Sequence, residues 1–373
     1  FGPIPYVNYG SSSLYDALDL VYNKFFEELD NAIEVLSNYV NGNVDAKLMS
    51  DYDCVYGGDV EKWVKFANTL RLRLAIRVSY ANPTLAEAQA KKSMENMFGF
   101  IESKAERAEL SHNSLEYHHP LHEIAYNFNS GDCRPGATIV AYLNGLNDSR
   151  ISSYFTAADD GEYHGVRIGI TTSNMSNYQG NKISNLNINR ASTPVVWMTA
   201  AESFFLRAEG ALRGWDMGGT AKSFYEQGVR MSFEENNAAG VDDYLADHTS
   251  TPGAFADNVG SDNYTFSSRV TPAWDDNAGF EAQLERIITQ KWIANYPDGP
   301  EGWSEYRRTG YPEVIPVVRN SSNGTIDTQL QVRRLPYTRD EKINNASGVA
   351  SGISALGGQD TGGTKLWWDK KSR

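Results

Sequence analysis

The chain has 373 residues, with 40 % hydrophobic residues and ordinary amounts of Gly (32) and Pro (13), which suits a sizeable folded core and argues against a disordered or fibrous chain. A formal net charge of −13 excludes the clustered Lys and Arg that neutralise phosphates, so nucleic acid is not a partner and an anionic membrane surface is disfavoured. No apolar run approaches the ~18 residues of a membrane span. The two cysteines, Cys54 and Cys133, form neither a disulfide framework nor a CxxC metal site, and both read as buried thiols.

In chain order, Val21, Tyr22, Phe25, Phe26, Leu29, Ile33 and Leu36 recur at spacings of three and four and predict a first amphipathic helix. A second follows Gly57-Gly58-Asp59, with Asp59 as N-cap and Val60, Trp63, Val64, Ala67, Leu70, Leu74 and Val78 on one face; Asn82-Pro83 is read as its stop. A shorter helix from Thr84 to about Phe98 packs back on it. From 99 to about 195 the chain is rich in Asn, Ser, Gly and Tyr and reads as long loops with one helix near 136–146 and a short hairpin.

Helical periodicity returns at Thr199, where Thr199-Ala200-Ala201-Glu202 fits a capping box, and Trp197, Phe204, Phe205, Ala208 and Leu212 are read as the apolar face. Gly214 closes that helix and Thr220 opens the next, through Phe224, Tyr225, Gly228 and Val229. This antiparallel pair, with small residues at the crossing, is a tetratricopeptide-type unit. Residues 237–279 form a second polar excursion, Phe280 to Tyr296 is a strong helix, and 298–373 reads as mostly irregular. The fold class is therefore all-α: a tetratricopeptide-like helical-repeat scaffold (14–98, 197–236, 280–310) with long irregular loop insertions (99–195, 237–279), since helix pairs of this kind bury their faces by stacking.

Candidate chemistry is sparse. His112, His118, His119 and His122 cluster, but Pro120 breaks the helix a metal-binding His pair needs, and a polar loop cluster is the better reading. No acid pair stands out for glycoside hydrolysis: Glu202 is explained as a cap, and Glu209 pairs with Arg213 at i, i+4. No nucleophile, Walker or dinucleotide motif is present, so no catalytic residue is assigned. No cofactor is called for, and a structural Ca²⁺ in the Asp/Asn-rich loops stays open.

The loops instead interleave aromatic rings with amides. Tyr126, Phe128, Asn129 and Arg134 lie together; Tyr163, His164 and Tyr178 follow, with Arg167 nearby; Trp274 lies beyond Tyr264 and Phe266. A flat ring covers the C–H face of a sugar while amides and guanidinium groups bond its hydroxyls. Tyr126, Phe128, Asn129, Arg134, Tyr163, His164, Tyr178 and Trp274 are accordingly the candidate ligand-binding residues, set against the plainer reading that such rings anchor long loops.

Several blocks in order resemble the SusD/RagB family of surface glycan-binding lipoproteins: Phe1-Gly2-Pro3-Ile4-Pro5-Tyr6, the run 55–73 around Tyr56-Gly57-Gly58-Asp59, 198–209, 288–292, Tyr306-Arg307-Arg308-Thr309-Gly310-Tyr311-Pro312, Arg333-Arg334-Leu335-Pro336-Tyr337 and Leu366-Trp367-Trp368-Asp369. The resemblance implies a single domain over 1–373, no catalysis, and a cell-surface protein of the outer membrane. It also implies capture of oligosaccharide or polysaccharide for a SusC-like TonB-dependent transporter, with a helical scaffold binding peptide or protein as the alternative. Family members are longer, so the lipid-anchored N-terminal part is expected to lie ahead of Phe1. Arg307-Arg308 and Arg333-Arg334 are expected to pair with acids of the scaffold.

Overall fold

The computed structural model describes residues 1–43, 45, 47–110, 119–128, 131, 133–170, 176, 178 and 180–371. Helix α1 (Leu18–Gly42) lies against α2 (Val60–Arg77), burying Val21, Tyr22, Phe26 and Ile33, and α3 (Pro83–Met94) returns along α2. Their starts follow from capping: the Asp59 carboxylate accepts the Lys62 N–H (3.2 Å) and the Asn82 carboxamide accepts the Leu85 N–H (3.1 Å), with Pro83 in the first turn. Asn82-Pro83 thus opens α3 and does not end α2, which stops at Arg77.

The polar stretch that follows holds β1 (Ala108–Leu110), the single turn α4 (Pro120–His122), α5 (Ala137–Gly145), the turn α6 (Ile151–Tyr154), β2 (Phe155–Thr156), β3 (Asn185–Leu186) and β4 (Val195–Met198). The strands pair antiparallel as β1–β4 and β2–β3, and the latter joins segments far apart in sequence rather than forming the short hairpin expected. Next comes the hairpin α7 (Ala200–Leu212) and α8 (Ala221–Glu235), the most extensive helix contact of the fold. Gly228 permits it: a Cβ there would stand 2.8 Å from the Phe205 ring. The short α9 (Val241–Leu245) follows, then α10 (Phe280–Ala294), which packs on α7.

The C-terminal quarter departs from the irregular segment expected. It contains α11 (Gly299–Thr309), α12 (Arg339–Asn344) and α13 (Ala346–Leu356). In α11 the buried residues are chiefly polar, Glu301, Ser304, Glu305, Arg307, Arg308 and Thr309 among them, and α13 is built largely from Ala, Ser and Gly, with Val349, Ile353 and Leu356 as its few large apolar side chains. The main core runs from α2 through α5, α7, α8 and α10 and takes in rings from the second insertion, Phe255, Phe266 and Trp274. Both cysteines are unpaired and half-buried rather than fully so.

What joins α2, α7, α10 and α11 is a lattice of buried ions. Arg308 forks onto Glu209 (both N–O distances 2.6 Å) and also reaches Glu305. Arg77 contacts both oxygens of Glu301 at 2.6 Å, Lys291 reaches Glu301 at 2.9 Å, and Arg73 holds Glu202. The expected Glu209–Arg213 pair is present at 2.8 Å, and Arg333 and Arg334 meet Asp369 and Asp360. Arg307 donates to the Arg333 carbonyl and stacks on Trp303 at 3.5 Å. Arg308 and its neighbour Arg213 hold Glu209 well below the usual carboxylate range, at about 2, although burial opposes this.

Removing one partner from such a lattice strands the others in a dry interior. Arg308→Met should therefore lower unfolding stability by about 3–5 kcal/mol at neutral pH in urea titrations. Because Glu209 ionises at a lower pH folded than unfolded, its contribution is complete above about pH 4.5 and fades as the pH falls toward 2. A Glu209→Gln variant should show a flatter loss of stability over that window.

Candidate functional site

The ends of three helices meet at a cleft of about 340 Å³, within the size range of small-ligand sites. The N-terminus of α7, the C-terminus of α8 (Glu235, Asn236, Asn237) and the C-terminus of α10 (Ala294, Asn295, Tyr296) border it, together with β4, Lys104 and Arg107 ahead of β1, His119 and Asn187. The convergence has local causes. Asn236 and Asn295 are the C-caps of α8 and α10, and Asn237 takes φ +51, a left-handed conformation that Asn tolerates. Thr199, the N-cap of α7, donates its hydroxyl to Asn295 (3.3 Å) while accepting the Glu202 N–H (3.0 Å). The Glu202 carboxylate does not complete the expected capping box; it turns to Arg73 and Lys291.

Aromatic surface in the cleft comes from Trp197, 42 % exposed on β4, and from the half-buried Tyr296, whose ring packs against Tyr154 and Phe155. Trp197 is therefore not part of the α7 core face as the sequence suggested. Carboxamides complete the lining: Asn187 donates to Ser152 O (3.0 Å), Asn236 to Tyr154 Oη (3.2 Å), and Asn237 accepts from Lys104 (3.0 Å). The cleft acids are engaged within the chain. Glu202 is ion-paired, Asp298 caps α11 through the Glu301 N–H (3.1 Å), and Glu235 accepts the Ala200 N–H at 2.9 Å. Burial pushes Glu235 up to about 7, against the opposing pull of the α7 N–H groups and Arg107.

The candidate residues named from sequence separate into two classes. Tyr126 and Phe128 are exposed, Phe128 by 61 %; the Tyr126 hydroxyl donates to the Leu186 carbonyl, next to Asn187 of the cleft, and its ring stacks on His122 at 4.7 Å. Arg134 is half-buried, and Asn129 lies outside the described residues, as do His112 and His118. Elsewhere the rings serve as anchors. Tyr178 is buried with its hydroxyl on Asp257 (2.6 Å), Trp274 is a core ring with its indole N–H on Asp276 (3.0 Å), and Tyr163 packs on the core. Both are buried: Tyr178 ties the first insertion to the second through Asp257, and Trp274 folds the second insertion onto the scaffold core. His164 pairs with Asp160 at 2.8 Å. Arg167 spans three loops, donating to the carbonyls of Pro316, Asp262 and Asn263 at 3.0 Å. Among the described residues no His, Cys, Asp or Glu group is arranged to hold a metal ion.

The sequence reading missed Trp197, Tyr296 and the Asn residues at helix ends. The available signal was Val195-Val196-Trp197-Met198, a β-favouring run set between Pro194 and the Thr199 cap.

Two outcomes test these assignments. Trp274→Ala should cost about 3–5 kcal/mol of stability by calorimetry or denaturant titration, the signature of a core ring. Glu235 binds its proton more tightly folded than unfolded, so the wild type loses stability as pH rises from about 4.5 to 7. Relative to it, Glu235→Gln should gain across that interval and hold a constant offset above it.

Comparison with known proteins supplies the context. The family model "Susd and RagB outer membrane lipoprotein" matches residues 1–369. A chitin-binding SusD homologue from Flavobacterium johnsoniae superimposes with a TM-score of 0.94 at 41 % identity, covering 100 % of this chain and 77 % of that one. A SusD homologue from Bacteroides uniformis gives 0.91 at 42 % identity, and a SusD-like protein from Bacteroides thetaiotaomicron 0.92 at 41 %, each covering 100 % of this chain and 78 % of the other. No curated protein matches. No helix among the described residues is long and apolar enough to cross a membrane. With this match over nearly its whole length, the chain belongs to the SusD/RagB family of outer membrane lipoproteins, a family of binding proteins.

Proposed function

We propose that this protein is a non-catalytic glycan receptor at the cell surface, which takes oligosaccharide into the cleft between α7, α8 and α10 and passes it to a SusC-like TonB-dependent transporter. A lipid anchor outside this chain would hold it at the outer membrane. The observation that carries the reading is the half-exposed Trp197 ring beside Asn187, Asn236, Asn237 and Asn295 in one cleft. A ring matches the C–H face of a pyranose and carboxamides offer donor and acceptor together, as hydroxyls require. Tyr126, Phe128 and Arg134 supply a second ledge near the cleft rim for a longer chain. The acids at the cleft support binding without turnover, since Glu202, Glu235 and Asp298 are engaged in pairing and helix capping. The reading needs no cofactor.

Calorimetry and affinity gels over a polysaccharide panel test it. N-acetylglucosamine oligomers come first, because the Flavobacterium relative binds chitin. Binding should change little with salt. Trp197→Ala should weaken it about tenfold, equal to ~1.4 kcal/mol, with the melting temperature unchanged. Turnover of a chromogenic glycoside would contradict the receptor reading, and capture of peptides with no glycan would favour a peptide-import role instead.

A further inference from the structure

Two neighbouring carboxamides at the end of α8 are held in opposite orientations. Asn236 directs its amide hydrogens into the chain, to the Ser232 carbonyl (2.8 Å) and Tyr154 Oη (3.2 Å), and no donor among the described residues reaches its Oδ1. Asn237 is reversed. The Lys104 ammonium donates to its Oδ1 (3.0 Å) and to the Glu234 carbonyl (3.2 Å), and no acceptor among the described residues meets its Nδ2. The partners dictate both orientations, since a carbonyl only accepts and an ammonium only donates. Lys104 is drawn there by the last carbonyls of α8, which have no helical partner and favour a cation. Both carboxamides border the cleft, Asn236 half-buried and Asn237 exposed. What they offer a ligand is an acceptor beside a pair of donors.

Resting on the glycan-receptor reading, we propose that Lys104 is a positioning residue for sugar recognition: it locks the Asn237 carboxamide with its N–H groups outward. The end of α8 then binds sugar hydroxyls in one polarity, the hydroxyl donating to Asn236 Oδ1 and accepting from Asn237 Nδ2. A hydroxyl does both, so a single one, or two on adjacent carbons, satisfies the pair. Without Lys104 the carboxamide turns freely, and only the fraction with its N–H groups outward is competent to bind.

Calorimetry on the intact chain at fixed salt decides this, with N-acetylglucosamine oligomers and gluco-oligosaccharides of equal length as probes, followed by the rest of the polysaccharide panel. Asn237→Asp is nearly isosteric and tolerates the same left-handed backbone. It keeps an oxygen for Lys104 but turns the outward donor into an acceptor, so affinity should fall about tenfold with no drop in melting temperature. Lys104→Met should weaken binding about threefold by itself. Added to Asn237→Ala it should change nothing further, because Lys104 acts only through that carboxamide, whereas a general structural role would persist. Wild-type affinity in Asn237→Asp, or a Lys104→Met loss that survives in the Asn237→Ala background, overturns the inference and leaves the receptor reading standing. A wild type that binds no glycan of the panel removes that reading and the inference with it.

Discussion

The architecture depends on charges of both signs held together out of water. Arg73, Arg77, Lys291 and Arg308 face Glu202, Glu209, Glu301 and Glu305 in the space where α2, α7, α10 and α11 meet. Desolvating such groups is costly unless each finds a partner, so only one arrangement of the four helices satisfies them all. An apolar interface would tolerate sliding by a fraction of a turn; forked guanidinium–carboxylate contacts do not. The lattice therefore sets register as much as stability. Its edge is also the floor of the cleft: Glu202 borders the cavity while held by Arg73 and Lys291, and Lys291 lies one turn before the Asn295 cap.

This link explains where the candidate site lies. Cleft groups come from element ends, Trp197 just before α7, Asn236 and Asn237 after α8, and Asn295 and Tyr296 after α10. Side chains at such positions inherit the rigidity of the helices they terminate, while long loops supply the rim. Ring-rich loops are for the most part fastened inward, as Tyr178 on Asp257 and Trp274 in the main core illustrate. Burying a ring is the more common use of aromatic surface, and interleaved amides do not distinguish the two uses.

Much of the helical scaffold was legible because its helices carry an apolar period and three of them a side-chain cap as well: α1, α2, α7, α8 and α10 follow their spacing, and Asp59, Thr199 and Thr220 cap α2, α7 and α8. Where helices are buried through ions, as α11 is, or built largely of small residues, as α13 is, few large apolar side chains mark the buried face and the C-terminal segment looked irregular. The cleft was less legible than the fold. Trp197 continues the apolar spacing of α7 in sequence, yet it precedes the Thr199 cap and belongs to a strand, where successive side chains alternate faces. The Asn residues at the cleft look like ordinary helix terminators, which they also are.

Arg167 illustrates how such a molecule can diversify. Its guanidinium reaches the main-chain oxygens of residues 262, 263 and 316, and so recognises the path of the backbone while remaining indifferent to the side chains there. Point changes at those loop positions leave the clasp intact. The outer faces of those loops can thus be rewritten letter by letter during divergence, with no compensating change demanded of the frame beneath them.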